Sequence, residues 1–105
     1  MNLLVKIKRL VLTRKVVFTS KARAERYESG LAVEEIFESI INAPSINKIV
    51  NSTSEFKKKK KEKLYIIISS TFDGKIIYTK GTIRKVNGQD EFYILISSKW
   101  STYDW

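Results

Sequence analysis

The chain has 105 residues, 43% of them hydrophobic and 30% charged, with a formal net charge of +9. That length and balance suit one folded domain spanning residues 1–105. With neither cysteine nor histidine, it has no disulfide, no thiolate nucleophile, no zinc site of the usual ligands and no imidazole acid–base group.

The charge is unevenly distributed. Residues 25–38 hold five acids (Glu25, Glu28, Glu34, Glu35, Glu38) and one base, Arg26, which leaves +13 on the rest. A surface that basic attracts polyanions, and nucleic acid is the obvious one; the plainer alternative is solubility. The opening apolar run is broken early by Lys6, Lys8 and Arg9. It is therefore not expected to be a signal-peptide core, no apolar run approaches membrane-spanning length, and a cytoplasmic location is expected.

In chain order, Leu3, Leu4, Ile7, Leu10 and Val11 recur at helical spacing over residues 2–12. Such a basic amphipathic helix either packs on its own domain, the favoured reading, or lies on a membrane surface. A strand over the same residues is a further alternative. Val16-Val17-Phe18 is short and β-prone. Thr19 or Ser20 can then cap a helix running to about Glu28, with Gly30 as its stop. Val33, Ile36, Phe37, Ile40 and Ile41 form the clearest apolar stripe; Glu34 and Glu35 suit its first turn and Pro44 follows its end.

Ser45 to Glu55 reads as a polar loop. Lys57 to Lys63 is a lysine run with one glutamate, too dense in like charge to be buried. It is either a solvated loop or a binding element. Strands are expected at 64–70, 76–85 and 91–98, joined at Asp73-Gly74 and Asn87-Gly88, the dipeptides that favour tight hairpins. Helices followed by an antiparallel meander make an α+β fold. The expectation is two to three N-terminal helices packed on a three- to four-stranded antiparallel sheet.

Two-residue loops at both turns would set Arg84 opposite Glu91, Thr82 opposite Tyr93 and Tyr78 opposite Ser97, and would set Tyr65 opposite Thr82 and Ser69 opposite Tyr78. Side chains alternate along a strand. One face would then hold Leu64, Ile66, Ile68, Ile77, Ile83, Phe92, Ile94 and Ile96, the seat for the Val33–Ile41 helix, with Gly81 allowing its close approach. The other would gather Tyr65, Tyr78, Lys80, Arg84, Tyr93 and Lys99. Tyrosines, threonines and lysines are also ordinary outward residues of a half-wet sheet. Three tyrosines among three cations are nonetheless suited to single-stranded RNA, because aromatics stack on bases and cations hold phosphates.

Several motifs occur together in order: Val16-Val17-Phe18-Thr19-Ser20-Lys21-Ala22, Gly30-Leu31, Glu38-Ser39-Ile40-Ile41-Asn42-Ala43, Lys63-Leu64-Tyr65, Ile77-Tyr78-Thr79-Lys80-Gly81 and Phe92-Tyr93-Ile94-Leu95-Ile96-Ser97-Ser98-Lys99. Over roughly residues 3–100 this resembles the MqsR-like toxins of type II toxin–antitoxin modules, within the RelE-like superfamily. The resemblance implies a RelE/MqsR-like fold and an mRNA endonuclease, acting with or without the ribosome and neutralised by an antitoxin protein. It implies cleavage through RNA's own 2′-hydroxyl, with no metal and no cofactor. By position it implies that Tyr78 and Lys99 are catalytic and that Lys48 is a loop lysine touching RNA. Lys80 joins the catalytic set from the register reasoning, and Tyr65, Arg84 and Tyr93 are expected RNA contacts on the same ground. Related domains carry a histidine after the Phe-Thr motif; Lys21 stands there, so a mechanism using that histidine is excluded. The alternative is a non-catalytic module of the same fold that binds only RNA or an antitoxin.

Overall fold

The computed structural model describes residues 2–52, 62–88 and 90–101. Its order is α1 (Leu3–Leu12), β1 (Val16–Phe18), α2 (Ser20–Glu28), α3 (Val33–Asn42), β2 (Lys48–Asn51), β3 (Lys63–Ser70), β4 (Ile76–Val86) and β5 (Asp90–Trp100). The fold is α+β, with three helices on a five-stranded mixed sheet of order β1-β5-β4-β3-β2. Residues 57–61 of the lysine run lie outside the described residues.

The helices begin and end for local reasons. The Asn2 side chain accepts the Leu4 N–H at the start of α1 (2.8 Å). The Thr19 hydroxyl accepts the Ala22 N–H at the start of α2 (3.1 Å). At the start of α3 the Glu35 carboxylate reaches back to the Ala32 N–H (2.9 Å). Gly30, at φ 67°, turns the chain out of α2. Each helix then turns an apolar stripe to one side of the sheet. Ile7, Leu10 and Val11 of α1, Ala22 of α2, and Ile36, Phe37 and Ile40 of α3 meet Tyr65, Ile67, Ile77, Tyr93 and Leu95 in one core. The first helix thus packs on its own domain. Among the described residues no helix is long and apolar enough to cross a membrane.

Two strands depart from the expected meander. The stretch expected to be a loop contains β2, which pairs antiparallel with β3: Lys48 with Ile66 and Val50 with Leu64. The short β1 pairs parallel to β5, Val17 beside Ile94. Both are edge additions whose pairing is non-local, which local pattern does not encode.

The larger correction is register. The β3–β4 loop is not two residues but five, Thr71 to Lys75. Thr71 closes it: its N–H donates to the Lys75 carbonyl (3.0 Å) and its hydroxyl accepts the Lys75 N–H (3.0 Å). Tyr65 therefore faces Gly81, and Ile68 faces Tyr78. At the second turn Asn87 and Gly88 both have positive φ, as their type predicts, but Val86 pairs with Asp90, one residue out of the register of a two-residue loop. A bulge between Lys80 and Gly81 shifts the pairing again, so Gly81 faces Leu95 while Lys80 faces Ser97.

These shifts exchange the faces of β3 and of the first half of β5, because a one-residue slip turns every side chain over. Tyr65, Ile67, Tyr93 and Leu95 turn inward to the helices. Leu64, Ile66, Ile68 and Phe92 turn to the uncovered face. The Val33–Ile41 stripe therefore sits on the expected face of β4, with Ile77 and Ile83, but meets Tyr65, Ile67, Tyr93 and Leu95 of the flanking strands in place of Leu64, Ile66, Ile68, Phe92 and Ile94. Past the bulge, Ser97 and Lys99 rejoin the face of Tyr78 and Lys80.

Gly81 also plays a different part from the one expected. The close approach there comes not from a helix but from the Tyr93 ring. A Cβ at position 81 would lie 2.5 Å from Tyr93 Cζ. The Tyr93 hydroxyl is buried and has no hydrogen-bond partner among the described residues. Burial, and after it Tyr65, hold the phenol above its ordinary value of 10.0. Because the unfolded chain releases that proton first, its ionisation draws the equilibrium toward unfolding as pH rises above 10.0. Urea unfolding should show Gly81→Ala less stable by ~1–3 kcal/mol. Tyr93→Phe should be at least as stable as the parent and lose less stability at alkaline pH, because it removes an unpaired buried hydroxyl.

Candidate nucleic-acid interface

All three helices pack on one side of the sheet, and no described helix covers the other. On that open face β4 presents Tyr78, Lys80 and Arg84 in alternation. Tyr78 pairs with Lys99 across β4 and β5, and the Lys99 ammonium lies 5.6 Å from the Tyr78 ring centroid, within cation–π range. One row further along, Lys80 stands between Ile66 and Ser97, and Lys48 lies beyond Ile66 on the edge strand. Two lysines thus flank one isoleucine in a single row. Lys48 and Lys80 have no ion-pair partner among the described residues.

Four of the residues expected at a site thus share the open face as cations or aromatics with access to solvent: Tyr78, Lys80, Lys99 and Lys48. Arg84 is on it too, but is held. Its Nε and Nη2 donate to the two Glu62 carboxylate oxygens (2.6 and 2.8 Å), a bidentate pair of the strong kind. The expected partner, Glu91, instead pairs with Lys6 of α1 (2.9 Å). Tyr65 and Tyr93 are corrections. Both belong to the helix-side core, Tyr93 fully buried and Tyr65 8% exposed, so neither can stack on a base in this fold. Around the cations the face is more aliphatic than aromatic: Leu64, Ile66 and Ile68, with Phe92 beside Arg84 and Ile94 buried beneath.

One residue of the site was not legible in the sequence as such. Glu25, counted only as part of an acidic block, reaches from α2 to the free edge of β5 beyond β1. Its Oε1 accepts the Ser97 hydroxyl (2.7 Å) and the Ser98 N–H (3.2 Å). Its Oε2 is 3.7 Å from the Lys99 ammonium. Glu25 therefore caps an open strand edge and braces the lysine that lies over Tyr78. No spacing rule links positions 25 and 99; the link arises from the parallel β1–β5 pairing that lays α2 along that edge. Ser98, whose hydroxyl donates to the Ala22 carbonyl (2.8 Å), fastens the same contact from below.

Burial opposes the charged form of Glu25. The Ser97 and Ser98 donors, then the Lys21 and Lys99 charges, outweigh it and hold the carboxyl below its ordinary 4.5. A carboxyl lowered in the folded state adds stability above 4.5 that disappears as pH falls through its folded value. Thermal or urea unfolding should accordingly show Glu25→Ala less stable at neutral pH by ~1–3 kcal/mol, the cost of leaving those donors unanswered. The same variant should lose less stability than the parent on acidification.

The chain matches no family model, no curated protein and no solved structure with which it was compared, so the likeness to MqsR-like toxins stands on the sequence motifs alone.

Proposed function

We propose that the open sheet face binds single-stranded RNA and that Tyr78, Lys80 and Lys99 cleave it through the RNA's own 2′-hydroxyl. The protein would then be an mRNA-cleaving toxin held in check by an antitoxin. The observation that carries the reading is the pairing of Tyr78 with Lys99 across two strands, one row from Lys80, on a face no described helix covers. The +9 chain supplies the long-range attraction to a polyanion.

In such a cleavage the 2′-oxygen attacks the adjacent phosphorus and the bond to the 5′-oxygen breaks, leaving a 2′,3′-cyclic phosphate and a 5′-hydroxyl. Negative charge gathers on the phosphoryl oxygens in the transition state, where Lys99 and Lys80 would oppose it. Tyr78 would give the departing 5′-oxygen its proton. The 2′-hydroxyl would lose its own proton to water, since the chain has no histidine and, among the described residues, the carboxylate beside Lys99, Glu25, is occupied by Ser97, Ser98 and Lys99. Lys48, across Ile66 from Lys80, would hold a neighbouring phosphate.

A second reading has an observation of its own. Leu64, Ile66 and Ile68, all half-buried, give the face an aliphatic character that suits a polypeptide as well as a base. The same fold would then bind RNA or an antitoxin without cutting.

The two readings separate in one assay. Purified protein incubated with a defined single-stranded RNA in EDTA should yield 2′,3′-cyclic phosphate ends. Lys99→Ala should slow that cleavage by roughly 10²–10³-fold, and Tyr78→Phe should slow it measurably. Binding without new ends, or cleavage unchanged in both variants, contradicts the catalytic assignment.

A further inference from the structure

On the opposite side of the molecule, the C-terminal half of α1, the outer side of α3 and the β3–β4 loop enclose a groove of about 250 Å³. Its floor is apolar, built from Val11, Phe37 and Ile41, and its two rims carry Leu12 and Phe72. Those rim residues are 64% and 85% exposed. Singly exposed apolar residues are unremarkable; two on the rims of an apolar groove make a patch.

The exposed phenylalanine is held in place. Its backbone N–H donates to the Glu38 carboxylate on α3, and Thr71 and Asp73 hydrogen-bond within the loop. Lys75 at the loop's end pairs with Glu35, and the Asn42 side chain donates to the Ser70 carbonyl (3.1 Å). The other wall is fixed as well. Arg14, at φ 62°, is bidentate to Glu34 (2.7 and 3.2 Å) and lies over the Phe37 ring at 5.2 Å. A loop that displays a phenylalanine to solvent and is tied down at several points has less entropy to lose when that ring is buried by a partner.

We propose that this groove is a self-association surface, and that its occupant is Phe72 of a second copy of the chain. The size argues against a metabolite, since small-molecule sites run roughly 300–1,000 Å³ and bring polar groups to a point. A two-fold dimer uses one patch on both copies, so knob and hole must lie side by side on it. Here they do: Phe72 borders the groove that a second Phe72 would enter. Charge points to the same face. Two chains of +9 repel each other over most of their surface. Around the groove Arg14 and Lys75 are matched by Glu34 and Glu35, and Glu38 and Asp73 add two further acids, so this face lacks the cationic excess that drives two copies apart. Pairing through the helices also leaves the open sheet face of each copy exposed. The inference stands on its own, whether or not the sheet face binds RNA.

Sedimentation velocity of the full chain over a wide concentration range tests it. The parent should pass from monomer to dimer as concentration rises. Phe72→Asp should weaken the dissociation constant by at least ~30-fold, the loss expected of a central aromatic anchor. Leu12→Glu, on the other rim, should act in the same direction. Both positions are solvent-exposed, so far-UV circular dichroism should match the parent; if one variant misfolds, the other still gives the reading. Lys99→Ala should dimerise like the parent. A parent that stays monomeric throughout, or a dimer that survives both rim substitutions, overturns the proposal.

Discussion

The Tyr93 ring occupies the space that any side chain at position 81 would need, and much of the molecule follows from that contact. With Gly81 opposite Leu95 and Tyr93 opposite Ile83, the ring folds over the glycine and enters the helix-side core. Tyr65, on the other side of Gly81, is drawn inward with it. The bulge beside Gly81 then adds one residue to β5 and turns its second half over. Lys99 consequently returns to the open face, opposite Tyr78. Without the bulge the same alternation would place it among the helices, where an unpaired ammonium is costly to bury. Core packing and the tyrosine–lysine pair are therefore two results of one local arrangement.

Electrostatics divides the surface along the same lines. Glu34 and Glu35, from the acidic block, are tied to Arg14 and Lys75 on the helical side. Glu38 holds the Phe72 backbone, and Glu25 holds the β5 edge and Lys99. Exposed ion pairs of this kind contribute little stability each. Their effect here is positional: they pin a loop tip and an edge strand, while Lys48 and Lys80 have no ion-pair partner among the described residues on the open face. The result is a protein with a mixed-charge helical side and a cationic sheet side, suited to partners of different chemistry.

The elements with strong local causes were legible in the sequence. The α3 stripe, the Thr19 cap, the Gly30 stop and the positive φ of Asn87 and Gly88 all follow from side-chain chemistry within a few residues. The facing of the strands was not, and the reason lies in β3. Leu64, Tyr65, Ile66, Ile67 and Ile68 are all compatible with a core, so either parity gives an apolar face and pattern cannot choose between them. The choice rests on loop length, which the Thr71 hydroxyl sets between β3 and β4; the bulge opposite Gly81 decides only the second half of β5. Of the expected site residues, Tyr78, Lys80 and Arg84 keep one another's company because they lie on a single strand. Tyr65 and Tyr93 were separated from them because their placement required register across strands. Glu25 became visible only once the parallel β1 had been placed.

The central claim is that the sheet face bearing Tyr78, Lys80 and Lys99 is the one that meets RNA. Titrating a short single-stranded RNA into isotopically labelled protein, and following backbone amide and lysine side-chain resonances, tests it most directly. The account predicts the largest shifts along the open face of β3, β4 and the end of β5, with Lys48, Lys80 and Lys99 responding together and the groove between α1 and α3 unmoved. Shifts centred on the helices, or none at salt low enough to favour phosphate contacts, would contradict it.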